Sequence, residues 1–289
     1  MQPEILLKKI NKEFPKLIWK NFKFIKSGWD FDIIILDNKI VFRFPKKHES
    51  IMDLKKEIIL LKYLSPRVSV DIPKYIYTTK TNSFGGYKFL QGNKLSISKY
   101  KYCSLKEKSL IQNDIAKFLS TLHNTPKSKI KKMKTRVGHP GQFLTWLKND
   151  TRKFVFPKLN IKEINAINKH FDNLQQSLTN TYKPVLIHGD MGESNTLLDN
   201  KTNKLSIIDF SDHHFGDPAN DFSGLYKYGK KFVKNIYNLY QGPKDNNFLY
   251  RAKLNYMSSP LTTMKGALCG SPENFKTSYS IFKKRFKII

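Results

Sequence analysis

Two cysteines, Cys103 and Cys269, are all that the 289 residues contain. They lie in no metal-binding spacing, which excludes a disulfide-stapled scaffold or a zinc site and leads us to expect a reducing, cytoplasmic setting. No apolar run approaches the roughly 20 residues of a membrane-spanning helix. The opening Met1-Gln-Pro-Glu-Ile-Leu-Leu-Lys-Lys meets lysine almost at once, so it predicts an amphipathic helix rather than a signal peptide, and no membrane partner is expected. Acids are scarce, 23 against 52 Lys and Arg, for a formal net charge of +29. Arginine is scarce as well, with six in total at positions 43, 67, 136, 152, 251 and 285. Nucleic-acid readers favour arginine for bidentate base and phosphate contacts, and here the charge is lysine spread along the whole chain. A nucleic-acid partner is therefore not expected; abundant Lys, Ile and Asn with little Arg reads as coding bias. The densest basic stretch, Lys127–Lys134, is expected to be a solvated loop.

Against that background, one segment concentrates chemistry. His188-Gly-Asp-Met-Gly-Glu-Ser-Asn195 is followed by Ile207-Ile-Asp-Phe210. Phosphoryl transfer from a nucleotide needs a carboxylate that orients and accepts the proton of the attacking hydroxyl, and oxygen ligands that hold Mg²⁺ on the phosphates. Asp190 suits the first task, and Asn195 with Asp209 the second, because magnesium takes one or two carboxylates and completes its octahedron with phosphate oxygen and water. Short apolar runs, Pro184–Ile187 and Leu205–Ile208, precede the two aspartates, with Asn200–Asn203 as turn chemistry between Leu198 and Lys204. The loop and Asp209 are thus expected at the ends of neighbouring strands. Either tripeptide alone is an ordinary strand-to-turn transition. The two together, in this order and spacing, are not.

His188–Asn195, taken with Asp209-Phe-Ser-Asp-His-His-Phe-Gly-Asp-Pro-Ala-Asn-Asp-Phe222, resembles the aminoglycoside phosphotransferase family, small-molecule kinases with a protein-kinase-like fold. The resemblance implies an α+β, bilobal architecture: a small β-rich nucleotide-binding lobe over residues 1–90, a hinge near 85–92, and a larger, mainly helical catalytic lobe over 91–289. It implies Asp190 as catalytic base, Asn195 and Asp209 as Mg²⁺ ligands, ATP or GTP as donor, and a small-molecule hydroxyl as acceptor. His188 supports the loop, and Asp217 and Asp221 brace it from beneath.

A kinase-like small lobe also needs a phosphate-covering loop, a cation on a strand and a glutamate on a helix. Ile25-Lys-Ser-Gly-Trp-Asp30 offers Ser27 and Gly28 for the loop. In the strand Lys39–Phe44, alternation puts Ile40, Phe42 and Phe44 on one face and Val41 and Arg43 on the other, so Val41 is expected against the nucleotide base and Arg43 near its phosphates. Ile51, Leu54, Ile58, Leu61 and Leu64 form a helical stripe that contains Glu57. An inward acid is costly unless paired, and Arg43 is the partner expected; the alternative is a Glu that reaches solvent at the stripe's edge. Gly85-Gly-Tyr-Lys-Phe-Leu-Gln-Gly92 reads as a strand entering a turn and resembles the family's hinge, placing Phe89 and Gly92 beside the purine. Ile111–His123 has helical spacing, with His123 as a structural helix-end residue.

Past Asp221 the only acids are Asp245 and Glu273, against thirteen Lys and Arg. Tyr226-Lys-Tyr-Gly-Lys-Lys231 stands where a binder of polycationic aminoglycosides would carry carboxylates, so we expect a basic, aromatic-lined acceptor side that disfavours such compounds and suits a neutral, anionic or bulky apolar acceptor such as a macrolide. A metabolic kinase for choline, a sugar amine or an amino-acid hydroxyl is the alternative enzyme. A silent nucleotide-binding scaffold is the alternative outside catalysis.

Overall fold

The computed structural model describes residues 2–26, 30–139, 141–178 and 182–288. The first part is helix α1 (Pro3–Glu13), strands β1 (Phe22–Ile25), β2 (Phe31–Leu36) and β3 (Ile40–Pro45), helix α2 (His48–Leu64), and strands β4 (Tyr75–Thr78) and β5 (Gly85–Lys88). The strands form one antiparallel sheet in the order β1-β2-β3-β5-β4. Asp37 and Asn38 turn β2 into β3 with φ of 47° and 52°; these are residue types that tolerate the left-handed region such a two-residue turn requires. Strand alternation then sorts the sheet's faces. Phe42 and Phe44 pack with Phe84 and with Leu6 and Ile10 of α1. On the opposite face Val41 packs with Ile35 and Tyr87. A side chain on Gly86 would strike the Phe42 ring at 2.6 Å, so glycine there is what lets the ring lie across the sheet.

The remainder is mostly helical: β6 (Asn93–Lys94), α3 (Ile97–Tyr102), α4 (Leu105–His123), α5 (Lys127–Lys132), α6 (Gln142–Asp150), α7 (Ile161–Ser177), β7 (Val185–Ile187), β8 (Thr196–Leu198), β9 (Leu205–Ile207), β10 (His214–Gly216), α8 (Asn220–Ser223), α9 (Lys230–Leu239), α10 (Phe248–Leu268) and α11 (Phe275–Phe286). The expected α+β division, sheet first and helices after, is what the molecule has. Its central element is α4, whose Ile111, Ile115, Phe118, Leu119 and Leu122 are buried in the main core. α4 begins six residues before the apolar periodicity does, because its first turns face water and are fixed instead by a reciprocal cap between Ser104 and Glu107. Among the described residues no helix is long and apolar enough to cross a membrane.

Three expectations require correction. Lys127–Lys132 is a helix, not a loop, because Ile130 and Met133 anchor it in the core while its lysines face solvent. In α2 it is Leu60, not Ile58, that is fully buried beside Leu54, Glu57, Leu61 and Leu64. The strands before the two aspartates do not pair with each other either: β7 pairs with β10, and β9 pairs with β8 in a separate three-stranded sheet. Asp209 turns the chain sharply with φ of 62°, which sends it away from β9 and back along β7.

α10 contains Pro260, which cannot bond the carbonyl of Tyr256 four residues earlier. Arg285 of α11 donates to that carbonyl and lies over the Tyr256 ring at 3.6 Å. At the other end of α10, Arg251 is 1% exposed and bonds both Asp217 (2.7 and 3.0 Å) and Asp245 (2.7 and 2.8 Å). Removing the cation from this triad strands the buried Asp217 carboxylate and leaves the partly exposed Asp245 without its partner. Arg251→Ala should therefore cost about 3–5 kcal/mol, read as a lower midpoint in urea unfolding followed by circular dichroism; an unchanged midpoint would show that the triad is dispensable.

Candidate active site

The loop after β7 is set by a single buried carboxylate. Asp221, fully buried in α8, accepts from the backbone N–H of His188 and of Gly189, each at 2.8 Å, and contacts His123 Nε2 at 3.0 Å. His123 in turn meets the Tyr240 hydroxyl at 2.7 Å, which ties the loop to the end of α4. His188 donates from Nε2 to the Ile208 carbonyl (3.1 Å) and accepts at Nδ1 from the Asp190 N–H (3.3 Å). Gly189 has φ of 89°, and a side chain there would stand 2.3 Å from the Asp212 carbonyl, so the chain passes this point only as glycine.

Asp190 opens into the cleft. Its Oδ2 accepts from Asn195 Nδ2 at 2.7 Å, and its carbonyl accepts from the same nitrogen at 2.9 Å. That commits the amide nitrogen of Asn195 and leaves its Oδ1 as the oxygen available to a cation. The Ile208 N–H donates to the Asn195 carbonyl at 3.0 Å, holding Asn195 beside the strand that delivers Asp209. Asp209 Oδ1 accepts from Arg43 Nη2 (2.9 Å) and Ser211 Oγ (2.8 Å). One carboxylate and one amide oxygen make a hard, sparse donor set. It suits an ion such as magnesium, which relies on phosphate and water for its remaining ligands, better than zinc. No cluster of three or more His, Cys, Asp or Glu able to hold a metal occurs among the described residues.

From the sheet side, Arg43 reaches down with 4% exposure and pairs with Glu57, 0% exposed, at 2.5 Å. Glu57 is thus turned inward rather than to solvent. Tyr75 adds its hydroxyl to this pair, at 3.3 Å from Glu57 and 3.4 Å from Arg43, and Phe31 lies beneath the guanidinium at 4.0 Å. Val41 and Phe89 line the same face of the sheet with Ile35 and Tyr87. Phe89 N–H donates to the Lys39 carbonyl at 2.7 Å, and Gly92 has φ of 120° with Leu198 and Asp199 so close that a side chain would collide at 2.8 Å. Ser27 and Gly28 lie outside the described residues. Asp217 is separate from the loop: it holds Arg251 and accepts from the Ala219 N–H at 3.0 Å. A brace beneath the loop thus describes the geometry of Asp221 and not that of Asp217.

Arg43, Asp190 and Asp209 line one cavity of about 670 Å³, closed on its far side by Thr263, Lys265 and Glu273 near the end of α10. Burial raises the Asp190 carboxyl above its ordinary value, with the nearby carboxylates of Asp212 and Asp209 adding to the rise against His188 and Asn195. Burial acts on Asp209 in the same direction, but Arg43 and the Ser211 hydroxyl outweigh it and hold its carboxyl low. Burial pushes Glu57 up to about 7 despite the guanidinium beside it. The lining of this cavity is acidic, in contrast to the basic surroundings that the charge of the chain led us to expect. Asp30, Asp190, Asp209, Asp212 and Glu273 surround the cavity, against Arg43 and Lys265, and both cations are already paired, Lys265 with Asp150 at 3.0 Å. Counting charge along the chain missed this because most lysines face away from the cleft, whereas Glu273 is folded over Gly266 with a buried Oε2 that has no hydrogen-bond partner. Tyr75, Ser211, Arg251 and Glu273 had no signal in the sequence; each is defined by a partner far along the chain or by a turn.

Comparison with known proteins adds a lineage. The profile of the phosphotransferase enzyme family (APH) matches residues 21–245. Among solved structures, the GDP and kanamycin complex of APH(2″)-IIIa is similar at a TM-score of 0.85 and 22% identity, over 97% of this chain and 98% of that one. The streptomycin–ATP complex of APH(2″)-IIa gives 0.73 and 24%, over 98% and 97%. The macrolide 2′-phosphotransferase MphH of Brachybacterium faecium, as apoenzyme, gives 0.69 and 15%, over 99% of each. At these identities the likeness is one of fold, the protein-kinase-like fold of this family.

Asp221 yields a test. Burial would raise its carboxyl, yet His123, His188 and the backbone bonds hold it below the ordinary 3.8. A depressed acid contributes stability above its unfolded pKa and loses it as pH falls through the folded one, so acidification should loosen the loop. Asp221→Ala, which leaves two buried N–H groups and a histidine unpaired, should lower stability at neutral pH by about 3–5 kcal/mol. Urea unfolding at pH 7 and at pH values stepped down below 3.8 reads both effects, and a variant as stable as the parent at pH 7 contradicts the assignment.

Proposed function

The chain belongs to the phosphotransferase enzyme family, and on that premise we propose that it transfers the γ-phosphate of ATP or GTP, with magnesium, to a hydroxyl of a small amine-bearing acceptor. Enzymes of this kind are kinases of small-molecule hydroxyls, and the observation that carries the detailed reading is the meeting of Asp190, Asp209 and Arg43 at one cavity, with Asn195 bonded to Asp190 behind it. In this reading the acceptor hydroxyl lies against the Asp190 oxygen not engaged by Asn195, and Asp190 orients it and takes its proton as the hydroxyl oxygen bonds the γ-phosphorus and the bond from that phosphorus to the departing nucleoside diphosphate breaks. The raised carboxyl of Asp190 brings its basicity closer to the working pH than an ordinary aspartate's. Asn195 Oδ1 and Asp209 would hold magnesium, which when bound neutralises charge on the β- and γ-phosphates. Arg43, anchored by Glu57, presents its second nitrogen toward the phosphates in place of the strand lysine of protein kinases. Val41, Phe89 and Gly92 supply the apolar roof and hinge against the base, in a nucleotide lobe of residues 1–90 above a catalytic lobe of 91–289, with Ser27 and Gly28 in the phosphate-covering loop.

The amine on the acceptor follows from the excess of carboxylate at the cavity. A cation bound there meets acids whose own cationic partners are already saturated, and nearby unpaired carboxylate attracts it most strongly at low ionic strength. The kanamycin and streptomycin bound in similar structures are compounds of that charge.

Asp190→Asn should bind nucleotide normally yet turn over more slowly by several powers of ten, since no other carboxylate has its position; near-normal turnover would remove it as the base. Calorimetry of nucleotide with and without Mg²⁺ tests the metal ligands. Asp209→Ala should lose more of the Mg²⁺-dependent affinity than Asn195→Ala, because a charged ligand goes rather than a neutral one. Equal affinity of the parent and Asp209→Ala in Mg²⁺ would exclude Asp209 from the site.

A further inference from the structure

Beside residues 88–91 lies a cavity of about 500 Å³ that shares no residue with the one around Asp190. Three segments enclose it: the start of β4 with the residues ahead of it, the end of β5 with the three residues after it, and the hairpin of β8 and β9. The Asp71 N–H donates to the Leu205 carbonyl at 2.9 Å, and the Ile207 N–H to the Asp71 carbonyl at 2.8 Å. These bonds pin the chain ahead of β4 against β9 and give the cavity a fixed floor. Its volume falls within the roughly 300–1,000 Å³ in which small molecules bind.

Leu205 and Ile207 are buried in the main core, so strand alternation turns Ser206 to the other face of β9, where it lines the cavity. Ser206 is 3% exposed, yet its hydroxyl has no hydrogen-bond partner among the described residues. A buried hydroxyl in that state is costly unless something entering the cavity meets it. The charges of the wall are unbalanced as well. Lys204 is taken by Asp71 at 2.7 Å, and Asp199 accepts from the Lys201 N–H (2.9 Å) and the Thr202 hydroxyl (2.7 Å). Lys74 and Lys88, the other two cations of the wall, meet no acid among the described residues. The surface between these groups is apolar: Ile72 is fully buried, Phe89 and Leu90 are half-buried, and Ile76 remains 53% exposed.

We propose that this cavity binds a small anion with an apolar body. Lys74 and Lys88 meet its charge, Ser206 hydrogen-bonds one of its polar atoms, and Ile72, Phe89 and Leu90 cover the apolar part. A neutral apolar molecule fills the same space but leaves both ammonium groups unanswered, whereas an inorganic anion answers them and covers no apolar surface. Lys74 and Lys88 flank strands of the first sheet and Ser206 belongs to β9, so the occupant bridges the two parts of the molecule. Nothing in this site draws on the phosphotransfer chemistry proposed above, and its test needs no turnover.

Anilinonaphthalenesulfonate is the probe, an apolar ring system with a single sulfonate whose emission rises on leaving water, and phenylnaphthylamine offers the same rings without the charge. Emission is titrated with each, with and without saturating ADP, in the parent, Lys74→Glu/Lys88→Glu, Ser206→Ala and Lys131→Glu/Lys132→Glu. The last pair lies on α5, which gives no residue to this cavity, and so removes the same charge elsewhere. The sulfonate should bind the parent saturably, with its Kd raised about tenfold by Lys74→Glu/Lys88→Glu and about threefold by Ser206→Ala, and changed less than about twofold by the α5 pair. The uncharged probe should bind about tenfold more weakly and ignore the Lys74→Glu/Lys88→Glu change. ADP should leave the sulfonate Kd within about twofold, since the cavity around Asp190 is a separate space. The site is overturned if ADP displaces the sulfonate, if the α5 pair costs as much as the Lys74 and Lys88 pair, or if the uncharged probe binds as tightly. Should circular dichroism show that the Lys74→Glu/Lys88→Glu variant is unfolded, Ser206→Ala decides, and an unchanged sulfonate Kd there overturns the site.

Discussion

The Asp221 carboxylate is the point on which the loop after β7 depends. It has no exposure to solvent, and its two oxygens are divided between two successive backbone N–H groups of the loop and the His123 ring. A charge in that place is tolerated only because every lone pair facing protein has a donor. The arrangement fixes the direction in which residues 188–190 leave β7, and so where the Asp190 side chain emerges. It also joins the loop to α4 and, through Tyr240, to the segment after α9. The position of the Asp190 carboxylate is thus set by the core around Asp221 and His123 rather than by the loop's own sequence.

Above the cleft, Arg43 does the corresponding work for the sheet. Glu57 and Asp209 lie on different halves of the molecule, and one guanidinium touches both. Its planar fork makes the two contacts from separate nitrogens, Nη1 to Glu57 and Nη2 to Asp209. One guanidinium thus links Glu57 of α2 to Asp209, just past β9, by one hydrogen bond to each.

Much of this was legible beforehand, and the reasons are local. His188–Asn195 and Asp209 are close in sequence and held by short turns, so spacing alone places them together. The faces of β3 follow from strict alternation, and the burial of Glu57 from helical periodicity, because both periods survive the folding of the rest. The pairing of β7 with β10 was not legible: it depends on the left-handed turn at Asp209, for which an aspartate gives only weak notice. The polarity of the cleft was not legible either. A net charge of +29 describes the whole surface, whereas the cavity is decided by five carboxylates drawn from positions 30, 190, 209, 212 and 273, which no window along the chain brings together. The family resemblance grouped Asp217 with Asp221, yet Asp217 lies ahead of α8 and its side chain meets a different partner, Arg251.

The proline inside α10 gives the carboxy-terminal helix a mechanical task. Downstream of Pro260 the same helix supplies Thr263, Lys265 and Gly266 to the cavity wall, and the backbone carbonyl that the proline leaves unbonded is taken by Arg285, within the last turn of α11. α11 thus acts as a splint across a weakened beam. The distance between the far wall and Asp190 is governed from the end of the chain, so the width of the cleft can be altered by changes at residues that touch neither nucleotide nor acceptor.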